Sequence, residues 1–299
     1  MKMNSKAEKV KITAGNDGQR LDNFLLTYIK QIPKSHIYKL IRTGQVRINS
    51  SRSKASSKLY KDDIVRIPPY KYTENLKPSI SNDIIQKINK NIIFEDEDIL
   101  IYDKPPFFAV HSGTNIGYGL IDVLRVIKKE CERVDLVHRL DKNTSGLIII
   151  AKNMTALRYF QKEIKQNNVE KKYICLVNGL WDKKIKQYNI NLFRNNKSSM
   201  SLSKFKILKT YKTSTLLEVE IVTGKYHQIR KQCASLNHSI LGDTKYGDNL
   251  INKKYKKLGL GRIFLHAHSL SFFPIKKSKK EMIKSNLPED LSMFLDLHQ

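Results

Sequence analysis

The chain has 299 residues and is 40% hydrophobic, enough to bury a core in one large domain or two smaller ones. Its 55 Lys and Arg against 28 Asp and Glu give a formal charge of +27, an excess that points to a polyanion held through its phosphates rather than to a need for solubility. No run approaches the roughly 20 apolar residues of a membrane span, the opening Met1-Lys2-Met3-Asn4-Ser5-Lys6 has no apolar core behind it to act as a signal peptide, and Cys131, Cys175 and Cys233 are spaced for neither zinc nor a disulfide framework.

Taken in chain order, the first expected element is a helix with Leu21, Phe24, Leu25, Tyr28 and Ile29 at helical spacing, broken by Pro33. A second short helix follows, capped by Ser35, with Ile37, Leu40 and Ile41 inward and Gly44 at its end. Two strand-like runs, Gln45 to Asn49 and Asp63 to Ile67, flank the polar stretch Ser50 to Lys58. Residues 18–69 carry 11 Lys and Arg and 3 Asp and Glu, a charge of +8. Arg20, Lys34, Lys39, Arg42 and Arg47 lie on or beside the two helices, where they can follow a phosphate backbone. The unit resembles the S4 RNA-binding domain in Arg20-Leu21-Asp22, Phe24-Leu25, Ser35 to Gly44 and Val46-Arg47-Ile48-Asn49. On composition alone a generic basic α+β module is the alternative.

Residues 70–91 read as a linker, polar and weakly periodic, with a short helical piece around Ile84 to Ile88. From Ile92 onward strand-like runs dominate: Ile99 to Asp103, Gly146 to Lys152, Lys172 to Asn178 and Leu216 to Val222. Helices are few. Met154 to Lys165 has Leu157, Phe160 and Ile164 at helical spacing behind an Asn153 cap, and an amphipathic helix starts near His227 with Ile229, Cys233 and Leu236 inward. Without clean βαβ alternation, a mixed or antiparallel sheet is expected.

Four segments carry groups suited to chemistry. In Val137 to Lys152, His138, Arg139, Asp141 and Lys142 fall in a loop at a strand end, a usual place to display functional groups. Basic neighbours favour an ionised Asp141, which suits a nucleophile or base; a surface turn with a locally paired Asp is the plain alternative. Val222 to Asp243 holds Lys225, His227, Arg230 and Lys231, and Arg230 can project from one helical turn toward a shared site. Leu100 to His111 joins a strand to a Pro-Pro turn, and Lys171-Lys172-Tyr173 puts an aromatic beside cations, as base stacking requires.

Together these segments resemble the RluA-type family of pseudouridine synthases. The match lies in Asp103-Lys104-Pro105-Pro106 with His111, His138-Arg139-Leu140-Asp141 with Thr144-Ser145-Gly146-Leu147, Lys171-Lys172-Tyr173, Gly224 with His227-Gln228-Ile229-Arg230, Gly242-Asp243 with Tyr246-Gly247, and Leu265-His266-Ala267. The S4-like unit fits the branch that modifies large-subunit ribosomal RNA. The family usually reads Gly-Arg-Thr-His-Gln-Ile-Arg and continues Val-His; here Lys225-Tyr226 replaces Arg-Thr and Lys231-Gln232 replaces Val-His.

The resemblance implies an α+β fold, with a small S4-like domain at 18–69, a linker at 70–91 and a catalytic domain at 92–299. It implies Asp141 as catalytic carboxylate, either attacking C1′ or removing the C2′ proton, with Arg230 paired to it and Tyr173 stacked on the uracil. Leu265 becomes an apolar pocket wall; Lys171, His138, His227 and Gln228 become substrate contacts. Arg139, adjacent to Asp141, would fill the stack left by an extruded base. No metal or cofactor is expected, and the expected protein is a cytoplasmic monomer acting on RNA, large-subunit ribosomal RNA first. Alternatives are transfer RNA as substrate, a non-catalytic RNA-binding or ribosome-assembly protein, and a hydrolase built on His138 or His227.

Overall fold

The computed structural model describes residues 2–4, 6–29, 32–72, 80–112, 117–194 and 197–298. By contacts the chain divides into Met1–Pro78 and Ser79–Gln299.

In the first unit β1 (Lys2–Asn4) and β2 (Glu8–Lys11) precede α1 (Leu21–Tyr28) and α2 (Lys34–Arg42). Then come β3 (Arg47–Ile48), β4 (Ser51–Arg52), β5 (Ile64–Ile67) and β6 (Tyr70–Tyr72). An antiparallel sheet runs β2-β5-β3-β4, and β1 pairs with β6. The helices bury Leu21, Leu25, Ile37 and Leu40 against Val65 and Ile67. Three local expectations change. The sheet takes up β2, which lies ahead of residue 18. Ser35 is not the cap of α2: the helix starts at Lys34 behind Pro33, whose fixed φ suits a helix entry. Tyr28 is 41% exposed and stacks on Phe24 rather than filling the core.

The second unit starts earlier than residue 92. Its first helix, α3 (Asn82–Asn89), buries Ile88 in the same core as the later strands. The rest of the expected linker, residues 73–79, lies outside the described residues. After α3 come β7 (Ile92–Glu95), β8 (Ile99–Lys104), α4 (Leu120–Ile127), β9 (Asp135–Leu136), β10 (Ser145–Ala151) and α5 (Met154–Lys165). They are followed by β11 (Glu170–Asn178), β12 (Gln187–Arg194), β13 (Lys197–Thr210), β14 (Ser214–Ile221) and α6 (Gln228–Ser235). The chain closes with α7 (Asn249–Lys257), β15 (Leu265–Phe272), β16 (Glu281–Lys284) and α8 (Glu289–Leu297). The fold class is α+β, as expected, but helices are more numerous than the sequence suggested. Lysine-rich α7 (NLINKKYKK) buries only Tyr255, so its period was too weak to read.

The sheet runs β12-β13-β14-β11-β15-β10-β8-β7, with β16 beside β15 and β9 beside β10. Among the described strands its pairs are antiparallel except β10 with β15, where Ser145 meets His266 and Gly146 meets Ala267. The sheet is therefore mixed. Its central strands are covered on both faces. Leu100, Tyr102, Ile148 and Ile150 face a core shared with α4 and α6, while Ile99, Ile101, Leu147 and Ile149 face α5. That double burial explains the unbroken apolar run of β10. α5 is capped as expected: Asn153 accepts the backbone N–H of Ala156 at 2.7 Å. Among the described residues no helix is long and apolar enough to cross a membrane.

Gly146 makes the parallel junction possible. Its φ is +111°, and a Cβ there would lie 2.3 Å from the Ala267 carbonyl oxygen. Both strain and clash oppose any side chain. Gly146→Ala is expected to cost about 2–4 kcal/mol in denaturant-unfolding stability.

Candidate active site

The loop before β10 is pinned at three points. The His138 Nε2 accepts the backbone N–H of Ile149 at 3.2 Å, and the Thr144 N–H reaches the Asp141 carbonyl at 3.1 Å. The third tie is Lys104, fully buried, whose ammonium donates to the carbonyls of Pro105, Phe108 and Lys142 at 2.7, 3.1 and 3.1 Å. Burial, and after it the charge of Arg262, pulls Lys104 down to about 7. The first motif thus acts as a clamp on the loop that carries Asp141.

The second side of the site comes from α6. His227 precedes this helix with φ +55°, an unusual backbone for a non-glycine residue. Two glutamines hold the helix to the β12–β13 hairpin. Gln228 donates to the Leu202 carbonyl and Ser203 Oγ, and its Oε1 accepts from Thr223 Oγ1 and the Lys225 N–H. Gln232, wholly buried, donates to the carbonyls of Tyr188 and Ser201 and accepts from Ser203 Oγ at 2.7 Å. Buried serines stand where an ordinary strand would place apolar residues, and for that reason β13 was not legible as a strand. Gln232 also accounts for one departure from the family pattern.

So placed, Arg230 lies between two carboxylates. Its Nε and Nη2 donate to Asp243 at 2.8 and 2.7 Å, and its Nη1 donates to Asp141 Oδ2 at 3.1 Å. Burial opposes the Arg230 charge, but the Asp243 and Asp141 carboxylates outweigh it and raise its pKa. Asp243 has no exposed side-chain surface; burial would raise it, yet the Arg230 guanidinium and the N–H groups of Lys245 and Tyr246 hold it below the usual carboxylate range. Asp243 was absent from the expected site. Its signal was the preceding Gly242: at φ +76° a Cβ would meet the Arg262 carbonyl at 2.2 Å, so this turn requires glycine.

His227 Nε2 lies 3.4 Å from Asp141 Oδ2, and its Nδ1 lies 3.0 Å from the Tyr246 hydroxyl. Burial lowers His227 to about 4, against the raising effect of Asp141, so the ring is neutral at pH 7. His138 is lowered to about 3 by burial and by the charge of Lys171.

Asp141 opens into a hollow of about 350 Å³ that also exposes Arg139, Lys171, Tyr173, Ile221, Arg230 and Leu265. Strand register explains this company. Lys171 sits opposite Ile221 in the β11–β14 pair, and a bulge between Lys172 and Tyr173 adjusts β11 against β15. The parallel β10–β15 junction brings the Asp141 loop and Leu265 to one end of the sheet. Burial, then the Asp141 charge, raises the Tyr173 pKa, so its phenol stays protonated. Burial lowers Lys171 to about 8. Gln228 borders the hollow, but its amide is taken up by the protein, so it braces the loop. His138 likewise gives one ring nitrogen to the backbone. The hollow combines an ion-paired carboxylate, an aromatic face, an apolar wall and a cation.

Residues 98–235 match the family described as RNA pseudouridylate synthase. The ribosomal large subunit pseudouridine synthase C of Haemophilus influenzae is 36% identical over 98% of this chain and 95% of that protein. The chain belongs to the RNA pseudouridylate synthase family. The synthase of the same name from Escherichia coli is 36% identical over 96% of this chain and 95% of its own. Vibrio parahaemolyticus has one 38% identical over 91% and 89%. The solved human RNA pseudouridylate synthase domain containing 4 shares the fold, with a TM-score of 0.61, 22% identity and coverage of 72% of this chain and 95% of its own.

In the first unit the five expected RNA contacts fare differently. Arg20 is bound to Asp22 at 3.0 and 2.7 Å, and Arg47 donates to the Gly44 and Ser50 carbonyls. Lys34 lies 5.7 Å from the Tyr38 ring centroid. Lys39 and Arg42 line a groove of about 650 Å³ with Tyr38, Arg52 and Lys54. Arg52 and Lys54, from the polar stretch after β3, were not among the expected contacts.

Proposed function

We propose that this chain isomerises uridines to pseudouridine in large-subunit ribosomal RNA, with Asp141 as the reacting carboxylate. The observation that carries this is the meeting of Asp141, Arg230 and Tyr173 in one hollow, with the Arg230–Asp141 contact at 3.1 Å. In the overall change the N1–C1′ bond breaks, a C5–C1′ bond forms, and the C5 proton is replaced by one at N1. The atoms balance without an oxidant or reductant. Asp141 acts at the ribose, whether at C1′ or at the C2′ proton. Tyr173, protonated and buried, stacks on the uracil while the base turns, and Leu265 closes the apolar side. Arg139 is exposed, and among the described residues its guanidinium makes no hydrogen bond or ion pair, which suits it to occupy the stack left by the extruded base. The 36% identity, over nearly the whole chain, to synthases named for the ribosomal large subunit supports ribosomal over transfer RNA.

The first unit, read as S4-like, supplies the sequence-independent grip, and the protein works as a cytoplasmic monomer. Replacing Arg42, Arg52 and Lys54 with alanine in the full chain should flatten the salt dependence of RNA binding by about 2–3 log units per log unit of salt. Titrations at several salt concentrations measure this. For the activity, pseudouridine mapping of ribosomal RNA from cells with and without the gene should show discrete large-subunit positions lost. Identical maps would remove the proposal; loss confined to transfer RNA would move the substrate.

A further inference from the structure

Two hollows meet over Asp141. The second, about 410 Å³, lies beyond the uracil site and is lined by Val110, His111, Ser112, Lys142 and Asn143. Arg139, Asp141, Tyr226, His227 and Arg230 border both. The proposed reaction fills only the first hollow, with one base and its ribose. A uridine within an RNA chain arrives with a neighbour on each side, and the second hollow adjoins the position of its ribose.

Tyr226 divides the two. Its ring stacks on His227 at a centroid distance of 3.7 Å and an interplanar angle of 21°. His227 is held edge-on against Tyr246 at 5.5 Å and 82°, so the Tyr226 ring is backed by a rigid support. Tyr226 is nonetheless 38% exposed. The ammonium groups of Lys231 and Lys245 each lie 5.7 Å from its centroid. Among the described residues neither ammonium makes a hydrogen bond or ion pair. A supported aromatic ring with two ammonium groups within 5.7 Å of its centroid has the composition of a nucleotide site: an aromatic surface for a base and charge for a phosphate. Where this chain has Tyr226 the family pattern usually has threonine, which offers no ring.

We infer that Tyr226, Lys231 and Lys245 form a subsite for the nucleotide adjoining the target uridine, the base stacked on Tyr226 and the phosphate held by the two lysines. This rests on the RNA reading of the main site. The probe is an oligoribonucleotide carrying a uridine that the wild-type enzyme converts, made intact, abasic at the 5′ neighbour, or abasic at the 3′ neighbour. Wild type should lose roughly 5- to 150-fold in kcat/KM on one of the abasic RNAs, the range for one lost base–aromatic stack. Tyr226→Leu should show that loss on intact RNA and no further loss on the same abasic RNA, while Tyr226→Phe keeps the wild-type discrimination. Lys231→Ala with Lys245→Ala should lower the salt slope by about one unit. Equal wild-type rates on all three RNAs, or losses from Tyr226→Leu and the abasic neighbour that multiply, overturn the subsite and leave the main site standing. An unchanged salt slope overturns its phosphate half. Absence of any pseudouridine with wild-type enzyme on ribosomal RNA overturns the main reading and the subsite with it.

Discussion

Asp141→Asn should abolish measurable pseudouridine formation on unmodified ribosomal RNA, a fall of about a thousandfold or more, without unfolding the protein. The amide keeps the shape and the hydrogen-bonding reach of the carboxylate but can neither attack carbon nor take a proton at neutral pH. A thousandfold is about 4 kcal/mol of transition-state stabilisation. Stability should hardly change, because the Asp141 side chain is 27% exposed and Arg230 retains both bonds to Asp243. RNA affinity should be unchanged or slightly higher, since a negative charge is removed from a site that receives a polyanion. Quantified pseudouridine, thermal unfolding and RNA titration together separate these effects. Activity retained in a folded Asp141→Asn protein would exclude Asp141 as the reacting group.

Arg230→Met should damage both stability and chemistry. It leaves Asp243, with no exposed side-chain surface, without its guanidinium. Removing one partner of a buried pair typically costs about 3–5 kcal/mol. The double substitution Arg230→Met with Asp243→Leu should recover much of that stability without recovering activity, a coupling that a double-mutant cycle reads directly. Acid titration gives an independent check. In the wild type the Asp243 pKa is lowered from 3.8, so the stability it contributes is complete above that value and is lost as pH falls below it. In Arg230→Met only the Lys245 and Tyr246 N–H groups still oppose burial, so the Asp243 pKa rises and protonation relieves the variant. The stability gap between the two proteins should therefore narrow as pH falls toward 4. A constant gap would mean that Arg230 supports the fold through packing rather than charge.

Arg230→Lys is a milder form of the same test. An ammonium keeps the charge but cannot give two parallel bonds to Asp243 and a third to Asp141. The three contacts use three different nitrogens of one planar group, and that geometry sets the orientation of the Asp141 carboxylate in the hollow.

Much of the second unit was legible because its strands are either continuous apolar runs or flanked by clear turns. Ile99 to Asp103 and Gly146 to Lys152 lie within a residue of the observed β8 and β10. The Asn153 cap of α5 was readable because capping is a local bond between residues three apart. The hairpin β12–β13 was not, because Ser201 and Ser203 are buried against Gln228 and Gln232 rather than against apolar side chains. In the first unit, helix spacing put Lys39 and Arg42 on the second helix, where the structure has them. It could not say that Arg20 and Arg47 are bound to their own unit while Lys39 and Arg42 open on the groove, because that depends on how β3 and β4 fold back on α2.

What the sequence by itself determined is the family, and it singled out an aspartate, an arginine and a tyrosine in three separate segments as the proposed carriers of its chemistry. Those identities are local properties of short motifs. Only the tertiary structure decided how they meet. Asp141 and Arg230 stand 89 positions apart, and their 3.1 Å contact follows from the parallel pairing at Gly146, the Lys104 clamp and the glutamine bonds of α6. The same packing assigned Asp243 to hold Arg230, occupied the Gln228 amide, and set Tyr226 beside two lysines at the mouth of the site. Register and side-chain direction across a sheet are fixed by burial and by mutual hydrogen bonding, which no single segment carries alone.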